Sequence, residues 1–142
     1  MHIEANCTQT GSSWPQTGGV VIRVLGGQAN AVYTEIGLNF STAGPVFYAD
    51  HTRCCETPNT VIQRAPVPVH LLGSGLTITV VVDGGLIEAF ADGLVTITPL
   101  VAPTAAHGAP SARTNTLQVS APGVSCTAHS WPMLSLPPLP TP

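Results

Sequence analysis

The stretch from Leu76 to Val101, LTITVVVDGGLIEAFADGLVTITPLV, constrains the fold more than any other part of the chain. In Leu76–Asp83 a large aliphatic residue recurs at every second position, which is the period of a strand with one buried face. Gly84-Gly85 and Asp92-Gly93 are dipeptides favoured in two-residue hairpin turns, because such turns need residues with positive φ. The stretch therefore predicts an antiparallel meander of three strands.

The rest of the chain carries further strand patterns separated by turns rich in Gly and Pro. Strands are predicted at Val20–Leu25, at Ala31–Phe40 with a bulge at Gly37, and at Val46–Asp50. Thr116–Ser120 and Ser125–Met133 predict a closing hairpin. Prolines restrict Val67–Leu72 to the role of an edge strand, because they cannot donate to a ladder.

These patterns predict an all-β fold, an antiparallel two-sheet β-sandwich of about eight or nine strands. We place the sandwich at residues 18–133, after an irregular N-terminal segment at 1–17 and before a Pro-rich tail at 134–142. Alternation predicts that Phe40 and Phe90 belong to the core. Val81 falls on the face opposite the buried aliphatic residues of its strand.

Charge and hydropathy narrow the range of partners. The formal net charge is −3 with four Lys and Arg in all, so neither nucleic acid nor an anionic membrane is an expected partner. No apolar run is long enough to span a bilayer, and residues 1–19 show no signal-peptide pattern. Only 8% of residues are charged, which favours a face covered by a partner or by self-association through Val81.

The meander resembles the C-terminal β-sandwich of glycoside hydrolase family 32, the family of invertases and fructan hydrolases. The family signature has an Asp before the first turn, Glu and Phe in the next strand, a Gly turn, a Thr-rich strand and a closing Pro. It is matched by Asp83, Glu88, Phe90, Gly93, Thr98 and Pro103. Departures occur at Gly85, where the family usually has Ser, and at Leu100 and Ala102, where it has Arg and Tyr.

Other segments extend the resemblance over most of the chain. Asp50-His51-Thr52-Arg53 fits the family's Asp-x-Ser/Thr-Arg tetrapeptide, and Arg64–Pro68 is similar to its R-x-A-P segment. Trp131 and Met133 fit a Trp-x-Met ending found in plant-type members. We therefore expect Asp50, Arg53 and Trp131 to share a structural role with the signature residues of the meander.

The resemblance implies a non-catalytic module whose parent enzyme hydrolyses terminal β-fructofuranosyl bonds in sucrose or fructans. The family's catalytic carboxylates lie in an N-terminal five-bladed propeller, in motifs around Asn-Asp-Pro-Asn-Gly, Arg-Asp-Pro and Glu-Cys. None of these motifs occurs in the sequence. We therefore expect no catalytic residue here, and a propeller catalytic domain as the partner. Asp83 is predicted to cap its turn, and Glu88 to pair with Arg53 or Arg64.

The cysteines and sequons bear on the compartment. Two disulfides are candidates among Cys7, Cys54, Cys55 and Cys126, and the vicinal pair is expected to bond outward and not internally. Asn6-Cys7-Thr8 and Asn39-Phe40-Ser41 are N-glycosylation sequons, which favour a secreted or vacuolar glycoprotein. Histidines are scattered and no paired C-x-x-C is present, so we expect neither a metal site nor a cofactor.

An alternative reading is a free-standing module that binds carbohydrate or oligomerises. Saccharides commonly stack on exposed aromatic rings of β-sandwiches, and Trp14 and Trp131 are the candidate platform. The two hypotheses differ in whether a catalytic propeller accompanies the module.

Overall fold

The computed structural model describes residues 1–27, 32–55, 61–102 and 113–132. These residues form ten β-strands and one short 3-10 helix at Val69–Leu71. The strands are β1 His2–Gln9, β2 Gly19–Gly26, β3 Thr34–Asn39, β4 Val46–Asp50, β5 Gln63–Pro66, β6 Gly75–Asp83, β7 Leu86–Ala91, β8 Val95–Ile97, β9 Thr114–Val119 and β10 Val124–Trp131. The predicted all-β, two-sheet sandwich is confirmed.

Two antiparallel sheets of five strands make up the sandwich. Sheet A has the order β10-β1-β6-β7-β8, and sheet B has the order β5-β4-β3-β2-β9. The core lies between them and takes every second residue of the central strands. Its largest fully buried members include Phe47, Ile22, Ile36, Leu38, Leu76, Ile78 and Ile87. No helix in the described part of the chain is long and apolar enough to cross a membrane.

The meander is present as predicted, although its turns differ. Leu76, Ile78, Val80 and Val82 are at most 5% exposed, which confirms the predicted buried face of β6. In the first turn only Gly84 has a positive φ, so the second position does not require glycine. The second connection contains three residues, because Ala91 pairs with Val95.

The predicted irregular segment at 1–17 is wrong for its first half. His2–Gln9 forms β1, which lies between β10 and β6 in sheet A. Ile3, Ala5 and Cys7 are its buried side chains, and the polar residues between them, Glu4 and Asn6, lie on the outer face. The sequence pattern is weak because a central strand can carry small inward side chains when two neighbouring strands hold its backbone.

Phe90 is wrongly predicted to be core. Ile87, Ala89 and Ala91 form the buried face of β7, so Phe90 and Glu88 lie on the outer face of sheet A, where both are partly exposed. The turn fixes this register, since Asp83 pairs with Leu86. Phe40, in contrast, is confirmed as core at 5% exposed.

Further local predictions need correction. The β3–β4 register passes through Gly37 without interruption, so the bulge is not there; the irregularity falls in β2, between Arg23 and Gly26. The ring of Tyr48 accounts for the glycine at position 37, because a Cβ on Gly37 would lie 2.7 Å from atoms of that ring. The predicted edge strand at Val67–Leu72 is wrong: the strand ends at Pro66, and Val69–Leu71 forms the 3-10 helix.

The predicted closing hairpin is also wrong. β9 pairs with β2 in sheet B, whereas β10 pairs with β1 in sheet A. The connection at Ser120–Gly123 therefore crosses from one sheet to the other. Ala121 is buried there, and Ser120 donates its backbone N–H to Gly19. Met133 and the predicted tail at 134–142 lie outside the described residues.

Candidate functional site

The predicted signature residues lie on both sheets. Asp50 and Arg53 are at the end of β4 and in the loop that follows, in sheet B. Asp83, Glu88 and Phe90 belong to the β6–β7 hairpin, on the outer face of sheet A, and Trp131 ends β10 on the same face. The residues that carried the resemblance thus form two groups on separate surfaces.

Glu88 does not pair with an arginine. It stands across from Val81 on the outer face of sheet A, whereas Arg53 and Arg64 belong to sheet B. The ion pair that the described residues do form joins Arg23 and Glu35, with 2.9 Å between Nε and Oε1. Sequence spacing alone did not indicate on which sheet each charge would fall.

Arg23 and Glu35 belong to a polar cluster on the outer face of sheet B. Their strands β2 and β3 place them directly opposite each other, and β4 adds Asp50 opposite Glu35. The Arg23 guanidinium lies 4.6 Å from the centroid of the Tyr33 ring, and that of Arg53 lies 5.6 Å from the same centroid. Sequence analysis missed Arg23 and Glu35, although the alternation in both strands put them on the outer face.

A cavity of about 230 Å³ opens within this cluster. It is lined by Tyr33, Glu35, Asp50, Thr52 and Arg53, and we call it the polar pocket. Asp50 is held in place because its Oδ1 accepts hydrogen bonds from the backbone N–H of Thr52 at 2.9 Å and from its hydroxyl at 2.7 Å. The tetrapeptide is therefore a turn that fixes one wall of the pocket.

Burial and the neighbouring carboxylates shift two pKa values on this side of sheet B. Burial raises the pKa of Tyr48 to about 12, and the negative charges of Glu35 and Asp50 act in the same direction. The hydrogen bond to Glu35 raises the pKa of Arg23 above its ordinary value. Tyr48 therefore stays neutral and Arg23 stays charged across the physiological range.

The outer face of sheet A carries exposed apolar side chains among polar ones such as Asp83 and Glu88. Trp131 is 46% exposed and lies in register with His2, whose ring centroid is 5.2 Å away, and His2 in turn pairs with Val81. Leu86 and Leu100, joined by an isolated bridge, are 39% and 75% exposed. We call Trp131, Val81, Phe90, Leu86 and Leu100 the apolar face.

The proposed two-tryptophan platform is contradicted. Trp14 is 9% exposed, its ring stacks on Phe40 with 5.6 Å between centroids, and its Nε1 donates to the carbonyl of Gly73 at 2.9 Å. A tryptophan in a glycine-rich loop looks exposed in sequence, but this one fills the end of the core. Trp131 has His2 and His129 beside it instead.

All four cysteines are bonded. Cys7 bonds to Cys126 across neighbouring strands, and Cys54 bonds to Cys55. The vicinal pair therefore does not bond outward as expected, because Cys7 and Cys126 face each other in the β1–β10 register. Asn6 and Asn39 are exposed on the outer faces of sheets A and B.

The buried polar groups do not form a metal site. Over the described ranges, no group of three or more His, Cys, Asp or Glu side chains is arranged to hold a metal ion. His51 is 2% exposed, and neither of its ring nitrogens has a hydrogen-bond partner there. His51 is buried directly after the end of β4, and its backbone carbonyl accepts a hydrogen bond from the backbone N–H of Cys54.

Comparisons with known proteins agree with this architecture. The family model "Glycosyl hydrolases family 32 C terminal" matches residues 1–130. The β-fructofuranosidase of Aspergillus kawachii, solved in complex with glycerol, superposes with a TM-score of 0.68 at 16% identity, over 89% of this chain and 22% of that one. The exo-inulinase of Aspergillus awamori gives a TM-score of 0.63 at 14% identity, over 89% and 24%. No curated protein sequence matches the chain.

The chain thus spans less than a quarter of either fungal enzyme, and its 142 residues do not include a catalytic domain. At 16% and 14% identity the superpositions establish the fold alone. The family assignment rests on the family model, which covers most of the sequence. The chain belongs to the C-terminal domain family of the family-32 glycosyl hydrolases.

Proposed function

We propose that this domain packs against a family-32 catalytic domain through the apolar face and stabilises it, without taking part in bond cleavage. The observation that carries the proposal is the family match over residues 1–130 of a chain that spans 22% and 24% of the chains of two solved enzymes. In those two enzymes, the part of the chain that this domain does not match is large enough to provide a surface for it to pack against.

The apolar face supports this choice of surface. Trp131, Val81, Phe90, Leu86 and Leu100 all lie on the outer side of sheet A. Apolar side chains clustered on one outer face favour a site of protein contact. The outer side of sheet A also holds Asp83 and Glu88, but Leu86, Leu100 and Trp131 are each more than a third exposed there. The outer side of sheet B carries the ion pair of Arg23 and Glu35, whose charges remain hydrated at little free-energy cost.

The carboxylates of the apolar face do not resemble a glycosidase site. Asp83 is exposed at the end of β6, and Glu88 lies on an open sheet surface. A glycosidase needs two carboxyl groups on either side of the scissile bond, in a cleft that separates their pKa values. Purified chain should therefore release no hexose from sucrose or inulin. Turnover that disappears on Glu88→Gln would contradict the proposal.

The docking surface is tested on the full-length natural protein whose sequence includes residues 1–132. Val81→Lys places a charge in the proposed contact, and Gln118→Lys places the same charge on an exposed position of β9 in sheet B as the matched control. We expect the first substitution to lower the melting temperature of the catalytic domain and the second to leave it unchanged. A natural polypeptide without a catalytic domain, or equal effects of both substitutions, would overturn the proposal.

The isolated chain offers a second measurement. With its partner absent, the apolar face should bind another copy, so sedimentation velocity over a concentration series should detect self-association that Val81→Lys abolishes. A chain that stays monomeric at high concentration, with or without the substitution, favours the free-standing module instead.

The sequons at Asn6 and Asn39 support a secreted or vacuolar location, which peptide-N-glycosidase treatment of the natural protein would test.

A further inference from the structure

We infer that the polar pocket on sheet B binds one unit of a neutral saccharide through its hydroxyl groups. This site lies on the sheet opposite the apolar face and does not depend on whether that face docks a catalytic domain. The cavity of about 230 Å³ is smaller than pockets for drug-sized ligands and suits a single sugar ring.

Two carboxylates of the polar pocket have unused hydrogen-bonding capacity. Glu35 accepts from Arg23 through Oε1, and Asp50 accepts from Thr52 through Oδ1. The second oxygen of each carboxylate has no hydrogen-bond partner among the described residues. Glu35 and Asp50 are directly opposite each other on β3 and β4, and both side chains line the polar pocket. Neighbouring carboxylate acceptors match the donors of a vicinal diol.

Arg53 brings hydrogen-bond donors to the same pocket. Its side chain is exposed at the pocket, and the contact that orients it is with the ring of Tyr33. Within residues 1–27, 32–55, 61–102 and 113–132, its guanidinium makes no ion pair. Its donors are therefore free to bind a ring or hydroxyl oxygen of a ligand. Donors and acceptors thus converge on one space.

Charge balance selects the ligand class. Arg23 neutralises Glu35, so the pocket is left with one negative charge on Asp50 and one positive charge on Arg53. A phosphate would meet Asp50, and an ammonium group would meet Arg53. A neutral molecule that both donates and accepts hydrogen bonds avoids both repulsions. Two guanidinium groups already lie near the Tyr33 ring, so recognition relies on hydrogen bonds and not on ring stacking.

The binding experiment uses the complete 142-residue chain labelled with ¹⁵N. Sucrose and a fructo-oligosaccharide are titrated while the side-chain Nε–H signals of the arginines are followed by NMR. We expect saturable shifts of Arg53 and Arg23, and none of Arg64, which is exposed on β5 outside the pocket. Permethylated sucrose, which has lost its donors, should not bind.

The substitutions use Arg64 as the matched control. Arg53→Gln and Asp50→Asn should each weaken sugar binding at least about tenfold, since each removes a charged hydrogen-bond partner, while Arg64→Gln should leave it unchanged. Asp50→Asn also alters the Thr52 turn, so amide spectra must match those of the unsubstituted chain. If that variant does not fold, Arg53→Gln alone decides, because the Arg53 guanidinium forms no ion pair with any residue that the structure describes.

Three results would overturn the inference: no shift at 100-fold excess sugar over protein, equal losses with Arg53→Gln and Arg64→Gln, or retained binding in Arg53→Gln. A titration with calcium chloride alone tests the remaining alternative. Saturable Ca²⁺ binding that displaces the sugar would assign the pair of carboxylates to a cation and would also overturn it. Val81→Lys should leave sugar binding unchanged, which separates this inference from the proposed docking surface.

Discussion

Breaking the Cys7–Cys126 disulfide should remove a large share of the domain's stability. The bond joins residues 119 positions apart, so it closes nearly the whole described chain into one loop. Loop-closure entropy at this length gives about 5 kcal/mol, and native disulfides typically contribute about 2–4 kcal/mol. We therefore expect the free energy of unfolding to fall by about 3–5 kcal/mol. A domain of this size typically has about 7–20 kcal/mol in total.

The assay isolates this bond by working in a Cys54→Ser/Cys55→Ser background. Urea unfolding is then compared with and without dithiothreitol, so both arms share one sequence and differ in one disulfide. With an m-value of about 2 kcal/mol/M, the expected loss moves the midpoint by about 2 M. The vicinal pair closes no chain loop, so the serine background itself should differ little from the unsubstituted chain.

Two results would refute the reasoning. A midpoint change under about 0.5 M would show that the bond does not constrain the unfolded chain as the loop argument requires. Free thiols in the unreduced protein, detected with an aromatic disulfide reagent under denaturing conditions, would show that the cysteines are not paired as described.

Further predictions concern single side chains. Gly37→Ala should cost about 1–3 kcal/mol, because its Cβ would lie 2.7 Å from the Tyr48 ring, while Gly73→Ala, with open space around its Cβ, should stay within about 0.5 kcal/mol in the same urea assay. Because the pKa of Tyr48 is raised to about 12, its stabilising contribution is complete below about pH 10 and is lost between there and about pH 12. Unfolding free energies that fall equally over that window in Tyr48→Phe would contradict this. Glu88→Gln should change stability by no more than about 0.5 kcal/mol, and a loss above about 2 kcal/mol would reveal a buried partner.

The meander was predictable because its signals are local. Alternation in β6 and the Gly- and Asp-containing turns are encoded within about a dozen neighbouring residues, and both specify an antiparallel arrangement. β1 escaped prediction because its strand status depends on β6 and β10, which are remote in sequence. The pairing of β9 and β10 with different sheets was missed for the same reason. The turn residues between two strands look alike whether the chain forms a hairpin or crosses to the other sheet.

The polar pocket was only half predictable. The resemblance singled out Asp50 and Arg53, but nothing in the spacing showed that β2 and β3 would add Arg23 and Glu35 beside them. Glu88 illustrates the opposite error: a charged residue in an apolar strand suggested burial with an arginine, yet the register places it on the outer face. Which charges meet is decided by strand order, and strand order is a property of the whole chain.

The position of β1 also determines when the domain can finish folding. Within the domain its eight residues are synthesised first, but β10, which pairs with all of them, follows more than a hundred residues later. At about 5–20 residues per second, the 119-residue separation between Cys7 and Cys126 corresponds to about 6–24 s on the ribosome. During that interval one edge of β1 lacks its partner and is open to pairing with other nascent chains. Because β10 and β1 are far apart in sequence, their pairing is slow, and it limits the rate at which the whole sandwich completes folding.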